Sequence, residues 1–390
     1  MKPTSRLYDA LIDFLRQSDV TWLDIRHVQT LCWMIIGIIH SERVHLNAWG
    51  VYTPSRAVYA QSHQRRFRRW LSNRRINLVG VYQSLMRQAL SDWGAHRVYL
   101  SLDTTLVWNR FCIVWLAVVY RGRTIPMVWR IVSHSSSTVR LSVIQSVLRQ
   151  AHRLVPATLE VVVLADRGFA DASLMKYLKD KLGWHYRIRI KRSFHFEYRG
   201  RWQSVTAVRL DPGQARLVES VRLRKSDPYG KVHLAFAHDK ASGEFWAIVT
   251  DEPPTLQVFA QYAWRFQIEE NFLDLKSNAF DLEASRLRDK DALFRLCGVI
   301  ALTMLFLTLQ GTQVVASGNR RRVDPHWFRG MSYLKLGWNW IQLSLTHNWN
   351  IIVHSSLSGQ LDSQPAIASR KQQEQSFARE LTVSHWKAVA

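Results

Sequence analysis

Three strand-like segments follow one another in RVYLSLDTTLVWNRFCIVWLAVVYRGRTIPMVWRIVS, residues 97–133. The first alternates apolar and polar residues from Val98 onward, which is the period of a β-strand with one buried face, and we predict that it ends on the carboxylate of Asp103. The other two, RFCIVWLAVVY and RTIPMVWRIVS, are separated by a tight turn containing Gly122. The stretch therefore predicts three consecutive antiparallel strands.

The segment that follows predicts a helix and a fourth strand. The helix extends from about Arg140 to Leu154, and LEVVVLADRG is a continuous apolar run typical of a strand buried on both faces; it ends on Asp166. Three strands, a helix, a strand and another helix is the order of an RNase H-like core. There the first and fourth strands are neighbours, so Asp103 and Asp166 would lie side by side although 63 positions separate them.

Each of these two acids also has an ordinary structural explanation. Asp103 could cap a turn, and Asp166 could be the N-cap of a helix that begins near Asp171. For either residue alone we favour that explanation. Two carboxylates at the ends of adjacent strands, together with a glutamate on a helix, favour a shared site.

That glutamate lies in YAWRFQIEENFLDLK, which contains Tyr262, Arg265, Glu269 and Lys276. At about 100° per residue these four side chains project to one face of an α-helix. A carboxylate among three side chains that can bind phosphate indicates phosphate chemistry, with a solvated face of mixed charge as the alternative. The predicted apolar stripe, which docks on the core, comprises Trp264, Ile268, Phe272, Leu275 and Ala279.

The whole chain is interpreted as an α/β protein, with an RNase H-like catalytic core interrupted by a β-rich insertion and flanked by helical N- and C-terminal regions. The predicted domains are a helical DNA-binding domain (1–92), the first part of the core (93–192), the β-rich insertion (193–254), the second part of the core (255–315) and a C-terminal helical region whose tail is mobile (316–390). Turn signals such as DPGQ and SDPYGK support the β-rich insertion.

The composition indicates a polyanionic partner. Lys and Arg number 53 against 30 Asp and Glu, a formal net charge of +23. The arginines are interleaved with aromatic residues, which favours nucleic acid over an anionic membrane. In the N-terminal region the run QSHQRRFRRWLSNRRIN has no acid, so we assign phosphate contact to Arg65, Arg66, Arg68 and Arg69.

No segment has the pattern of a signal peptide or a membrane span, because the longest apolar stretch, about 296–309, is short and contains threonines. The three cysteines are far apart, which supports neither a disulfide framework nor a zinc site. We expect a cytoplasmic, nucleoid-associated protein without a membrane partner.

The three acids suit metal-dependent chemistry on a phosphodiester. Two divalent ions can activate an attacking hydroxyl and neutralise the leaving 3′ oxygen. Mg²⁺ prefers oxygen ligands and keeps several waters, so Asp103, Asp166 and Glu269 are enough to hold two ions once the phosphate supplies further oxygens. We therefore predict two Mg²⁺ ions as cofactors, with Mn²⁺ as a substitute.

The order of these motifs resembles the bacterial DDE transposases of the insertion sequence four group. The hallmark of that group is a Tyr-Arg-Glu-Lys signature with gaps of two, three and six residues, which Tyr262, Arg265, Glu269 and Lys276 match. The likeness covers roughly residues 95–310, and the two ends of the chain share only a general helical character with the group.

The resemblance implies roles for individual residues. The catalytic, metal-binding acids would be Asp103, Asp166 and Glu269, and phosphates of the transposon-end DNA would be held by Tyr262, Arg265 and Lys276. In relatives, an Arg at the position of Arg189 contacts DNA, and a Trp at the position of Trp246 stacks on a base flipped out during hairpin formation. The alternative for Trp246 is an ordinary core residue of a strand.

The predicted function is a transposase that binds terminal inverted repeats, cleaves the element ends with hairpin intermediates, and joins the 3′ hydroxyls to target DNA. Its partners would be double-stranded DNA and a second copy of the chain in a synaptic homodimer. A nuclease of the same fold without strand transfer is the first alternative. A non-catalytic architectural DNA-binding protein ranks below both enzymes, because acids placed among basic residues would repel phosphate.

Overall fold

The computed structural model describes residues 3–94, 96–240, 242–353, 356–366 and 382–386. Ten α-helices are present in these ranges: α1 Pro3–Arg16, α2 Ile25–Ser41, α3 Ala60–Ser72, α4 Leu78–Ser91, α5 Leu141–His152, α6 Ala172–Lys176, α7 Gln257–Ala263, α8 Gln267–Leu273, α9 Lys290–Ala316 and α10 Tyr333–His347. The strands of the same ranges are β1 Val98–Val107, β2 Phe111–Tyr120, β3 Arg123–Val132, β4 Val161–Ala165, β5 His185–Arg189, β6 His195–Tyr198, β7 Arg201–Ser204, β8 Gln214–Leu223, β9 Tyr229–His238, β10 Phe245–Thr250 and β11 Thr382–Trp386. The fold is a mixed α/β architecture with one large sheet.

The first five strands lie in the order β3-β2-β1-β4-β5. Strands β1, β4 and β5 are parallel, whereas β2 pairs antiparallel with β1, and β3 pairs antiparallel with β2. The predicted hairpins and the predicted pairing of the first and fourth strands are confirmed. The turn between β2 and β3 has positive φ at Arg121 and Gly122, which glycine adopts without strain.

The strands predicted between residues 193 and 254 are present, and they extend the same sheet. Strand β10 pairs antiparallel with β5, and the order continues through β9, β8, β6 and β7. Strand β11 pairs in parallel with β8. The edge of β5 is thereby paired, and the later strands continue the sheet that contains β1 and β4.

Helix α9 is the central helix of the core. It is 27 residues long, so the predicted apolar stretch 296–309 was shorter than the helix itself. By length and apolar composition the helix could cross a membrane. Within its most apolar window, 89% is buried inside the protein, against α2, α3, α4, α10 and β3. A helix that is apolar all round is expected at the centre of a large core.

Helices α9 and α10 cross at two glycines. A Cβ on Gly337 would lie 1.8 Å from the carbonyl oxygen of Leu307, and one on Gly311 would lie 1.9 Å from that of Tyr333. The absence of a side chain at both positions lets the two backbones touch. This crossing fixes the loop that joins the helices.

The tail predicted to be mobile begins at about Ser355. Residues 367–381 and 387–390 lie outside the described part of the chain. In the described segment 356–366, Leu357 is buried and its N–H donates to the carbonyl of Ala89, so this segment packs on α4.

Candidate active site

Asp103 lies inside β1 and not at its end, which corrects the predicted strand boundary. Strand β1 continues to Val107 because residues 104–107 pair with the start of β2. The last pair between β1 and β4 is Leu102 with Ala165, so Asp103 stands where its parallel neighbour stops. The side chain is 16% exposed, and Oδ1 accepts from the Thr104 N–H at 2.7 Å.

Asp166 is the residue directly after β4. Its Oδ1 accepts from the Gly168 N–H at 2.8 Å, so it caps a short 3₁₀ turn at Arg167–Phe169. The helix that follows is capped by Asp171, whose Oδ1 accepts from Ser173 and Leu174. The register of β1 and β4 places Asp166 beside Asp103, as predicted.

Glu269 lies in a helical segment that is not a regular α-helix. A 3₁₀ turn at Trp264–Phe266 separates α7 from α8, and a π turn at Asp274–Asn278 follows α8. Both turns change the angle per residue, yet Arg265 and Glu269 still share one face, because their side chains form an ion pair. Tyr262 and Arg265 are buried at 0% and 5% exposure, whereas Glu269 and Lys276 are exposed.

Arg265 joins two of the three acids. Its Nη1 lies 3.1 Å from Oδ2 of Asp103, and its Nη2 lies 2.5 Å from Oε1 of Glu269. The guanidinium also lies 4.4 Å from the ring centroid of Phe266, which restricts it further. Arg265 was predicted to bind phosphate only; its spacing of four from Glu269 is the signal that could have indicated the ion pair.

The three acids interact electrostatically. Burial, followed by the like charges of Asp166 and Glu269, raises the pKa of Asp103 from 3.8 to about 6, against the lowering effect of the Thr104 N–H and Arg265. Arg265 is the counter-ion of Asp103 and Glu269. Burial lowers its pKa, but Tyr262, Glu269 and Asp103 raise the pKa above its usual value. The structure therefore brings together three carboxylates that come from distant parts of the sequence.

The donor set fits a hard divalent cation. Three carboxylates supply only oxygen ligands, and a bound cation would stabilise the charged form of Asp103, whose pKa is raised by burial first and then by the like charges of Asp166 and Glu269. In the described part of the chain, however, no three His, Cys, Asp or Glu side chains are grouped closely enough to hold a metal as they stand. Arg265 occupies the position between Asp103 and Glu269, so its ion pairs would have to open.

Tyr262, Trp246 and Arg189 form a second group beside the acids. The rings of Tyr262 and Trp246 meet edge to face at 5.6 Å, and Arg189 lies 6.0 Å from the Trp246 ring. Glu244 accepts from both Arg189, at 3.3 Å, and the Trp246 indole, at 3.0 Å. Trp246 is 8% exposed, so here it is a residue of a small apolar cluster.

Tyr262 lies fully inside this cluster and is not exposed to solvent. Burial raises the pKa of its hydroxyl to about 12, and the hydroxyl makes no hydrogen bond among the described residues. A cavity of about 210 Å³ adjoins Trp246 on the side of Phe259 and Ala263. The neighbouring Trp264, which was expected in the core, is 37% exposed and meets Tyr99 edge to face.

The four N-terminal arginines lie on α3. Arg65, Arg68 and Arg69 are exposed, and Arg66 is half-buried with its Nε donating to Thr30 at 3.3 Å. None of the four forms an ion pair with an acid among the described residues. Because Phe67 and Trp70 anchor the opposite side of α3 in the core, the helix presents its positive charge outward.

Comparison with known proteins identifies a domain. Residues 113–306 match the family described as Transposase DDE domain. The match includes Asp166 and Glu269 and begins ten residues after Asp103. No curated protein matches the sequence. A cryo-EM structure of a piggyBac transposase synaptic complex with hairpin DNA is similar, with a TM-score of 0.46 and 10% identity over 89% of this chain and 78% of that chain.

Proposed function

We propose, from the premise that residues 113–306 carry a transposase DDE domain, that this chain is a DNA transposase with an RNase H-like catalytic core. It would bind the terminal inverted repeats of its element and cleave the ends by phosphodiester hydrolysis and transesterification, through hairpin ends. It would then join the 3′ hydroxyls to target DNA. The assignment to the insertion sequence four group is part of this proposal.

The observation that carries the proposal is the convergence of three acids. Asp103 and Asp166 come from neighbouring parallel strands, and Glu269 comes from a helix more than a hundred residues later in the sequence. The charges of Asp166 and Glu269 both act on Asp103. Repulsion between these carboxylates destabilises the fold when no cation is bound. Acids that destabilise the fold in this way are typical of functional sites, where their charge is required.

The acids would hold the divalent ions, and the bound ions would supply charge neutralisation at the attacking and leaving oxygens of the phosphodiester. In the metal-free protein Arg265 neutralises Asp103 and Glu269. We propose that its guanidinium passes from these acids to a DNA phosphate when the complex forms, since a phosphate matches its paired donors. Lys276 is exposed on the same helical segment and would bind a neighbouring phosphate.

The group around Trp246 would serve the hairpin step. A flipped base needs an aromatic face, and the cavity beside Trp246 lies next to that face. Glu244 neutralises Arg189, so contact of Arg189 with DNA would require this ion pair to open. Tyr262 packs against Trp246, so it would become accessible to a phosphate only if this group of side chains opened as well.

Binding of the element ends would use α3. Its exposed arginines form no ion pairs within the described part of the chain and would bind backbone phosphates. Pairing of two ends in one complex implies a homodimer during the reaction, in association with the nucleoid. The predicted domain boundaries belong to the same proposal.

The decisive experiment compares Glu269→Gln with Glu270→Gln, its neighbour in the sequence. Glu270 pairs with Arg123 at 3.4 Å, whereas Glu269 pairs with Arg265, so Glu270 is a matched control for charge and position. With labelled element-end DNA and Mg²⁺, Glu269→Gln is expected to abolish strand cleavage while retaining end binding. Cleavage by Glu269→Gln at the rate of the control would contradict the assignment.

The same assay separates the alternatives. A nuclease without strand transfer would cleave but would not join pre-cut ends that carry free 3′ hydroxyls. An architectural protein would bind in a salt-sensitive manner with no response to Mg²⁺ or to either substitution.

A further inference from the structure

The loop between α9 and α10 presents two aromatic side chains to solvent. Trp327 is 78% exposed and Phe328 is 64% exposed, adjacent to each other in the sequence. Adjacent exposure of two large aromatics is costly for a free protein and typically marks a contact surface. We call residues 320–331 the Trp327 loop.

Buried polar groups hold the Trp327 loop in one conformation. The guanidinium of Arg320, only 8% exposed, donates to the carbonyls of His326 at 2.9 Å, Trp327 at 2.7 Å and Phe328 at 3.2 Å. It also pairs at 3.1 Å with Asp324, which is fully buried. The carbonyls of the aromatic tip therefore converge on one charged side chain beneath them.

The base of the loop is fixed in the same way. Asp324 also accepts from the backbone N–H groups of His326 at 3.1 Å and Gly330 at 3.0 Å, and its Oδ1 lies 2.6 Å from Nδ1 of His326. Arg329 is buried and pairs with Asp362 at 2.9 Å. A surface held this firmly loses little conformational entropy when it binds a partner.

The charge around the aromatic tip is positive. Arg321 lies 4.4 Å from the Trp327 ring centroid, and Arg322 lies 5.2 Å from that of Trp349. Both arginines are exposed, and neither pairs with an acid in the described part of the chain. The acids of this region, Asp324 and Asp362, are committed to buried arginines.

The loop lies next to the segment that carries the catalytic glutamate. Gly330 and Met331 line a cavity together with Arg123 and Asp274. Arg123 pairs with Glu270, which adjoins Glu269 in the sequence. The base of the Trp327 loop therefore lies beside Arg123 and Asp274, next to the helical segment that contains Glu269.

We propose that the Trp327 loop is a DNA contact at which Arg321 and Arg322 hold backbone phosphates while Trp327 and Phe328 stack on unpaired bases. Unpaired cations favour a polyanion over an apolar protein surface, and every base offers a face to an aromatic ring. The choice of DNA as the partner rests on the proposed function, whereas the stacking role goes beyond it.

The test measures binding by the full-length protein in buffer without divalent ions, so that cleavage plays no part. The probes are a labelled, fully paired DNA duplex and the same duplex with an unpaired bubble. Trp327→Ala/Phe328→Ala is expected to lose about tenfold in affinity for the bubble and little for the duplex. Arg321→Ala/Arg322→Ala is expected to weaken both complexes and to reduce their salt dependence.

Two further variants serve as controls. Leu361→Ala removes another exposed apolar side chain, 95% exposed and outside the loop, and should change neither affinity. Trp327→Phe keeps an aromatic ring at this position, so it should retain most of the preference for the bubble that the double aromatic variant loses. The proposal is overturned if the double aromatic variant keeps the full preference, or if it instead changes the oligomeric state of the DNA-free protein. Because Glu269→Gln should keep the preference, failure of cleavage and failure of this contact are distinguishable.

Discussion

Replacement of Asp103 by asparagine should stabilise the metal-free protein while removing cleavage. The carboxylate is 16% exposed, lies near two other acids, and has Arg265 as its counter-ion. Asparagine has nearly the same shape, keeps an oxygen acceptor for the Thr104 N–H and carries no charge. The substitution therefore removes the cost of a buried charge with little change in packing.

The magnitude follows from the pKa of Asp103, which is raised from 3.8 to about 6. Each factor of ten in proton affinity corresponds to about 1.4 kcal/mol, so at neutral pH the charged form costs the folded state up to about 3 kcal/mol. This figure already includes the attraction of Arg265. We expect Asp103→Asn to raise the free energy of unfolding at pH 7.5 by about 1–3 kcal/mol.

The pH dependence provides an internal control. Because the folded-state pKa is above the value of the unfolded chain, the folded protein binds the extra proton between pH 3.8 and about 6. The cost is therefore fully present above about pH 6 and disappears as the pH falls towards 3.8. The difference in stability between Asp103→Asn and the wild type should close over the same range.

Urea unfolding of both proteins in chelator, at pH 7.5 and near pH 4, measures this difference. Mg²⁺ should then stabilise the wild type and leave Asp103→Asn nearly unchanged, because only the wild type has the complete set of acids. A variant less stable than the wild type at pH 7.5, or an equal difference at both pH values, would show that the charge of Asp103 does not destabilise the folded protein.

Three further predictions concern the core, the counter-ion and the basic helix. Gly337→Ala should destabilise the fold by about 1–3 kcal/mol, because its Cβ would overlap the carbonyl of Leu307; an unchanged thermal midpoint would contradict the helix crossing. Arg265→Gln should destabilise the metal-free protein by about 3 kcal/mol, since it leaves Asp103 buried without its counter-ion; chelator-treated protein of wild-type stability in urea would show that the pairs contribute nothing. Arg68→Gln/Arg69→Gln should weaken duplex binding and lower the slope of log affinity against log salt by about 1.8, and an unchanged slope would remove α3 from the DNA surface.

Several elements could be predicted because their pattern is local. The alternation of residues 98–103, the turn at Gly122 and the apolar run before Asp166 each encode a strand or turn within a few residues. The adjacency of Asp103 and Asp166 then followed from the order of strands and helix, because a parallel neighbour requires a crossover connection. Periodicity alone could not place the end of β1, which depends on pairing with β2.

The burial of Tyr262 and Arg265, in contrast, could not be predicted from a local pattern. A regular helix places both with Glu269 on one face, and the Arg265–Glu269 ion pair agrees with this, but their burial depends on strands far away in the sequence. Tyr262 is buried because Trp246 of β10 lies against it, and Arg265 is held by Asp103 of β1. Such contacts join residues 16 and 162 positions apart and leave no trace in local periodicity.

The sequence by itself determined the strand order of the first sheet region, the three acids, their basic surroundings and a large positive charge. It could do so because strand period and formal charge are properties of neighbouring residues. Only the tertiary structure decided that the later strands extend the same sheet, that Arg265 stands between Asp103 and Glu269, and that Arg320 holds Trp327 and Phe328 outward. Those features arise from burial and charge pairing between distant segments, where the lowest free energy depends on the whole packed chain.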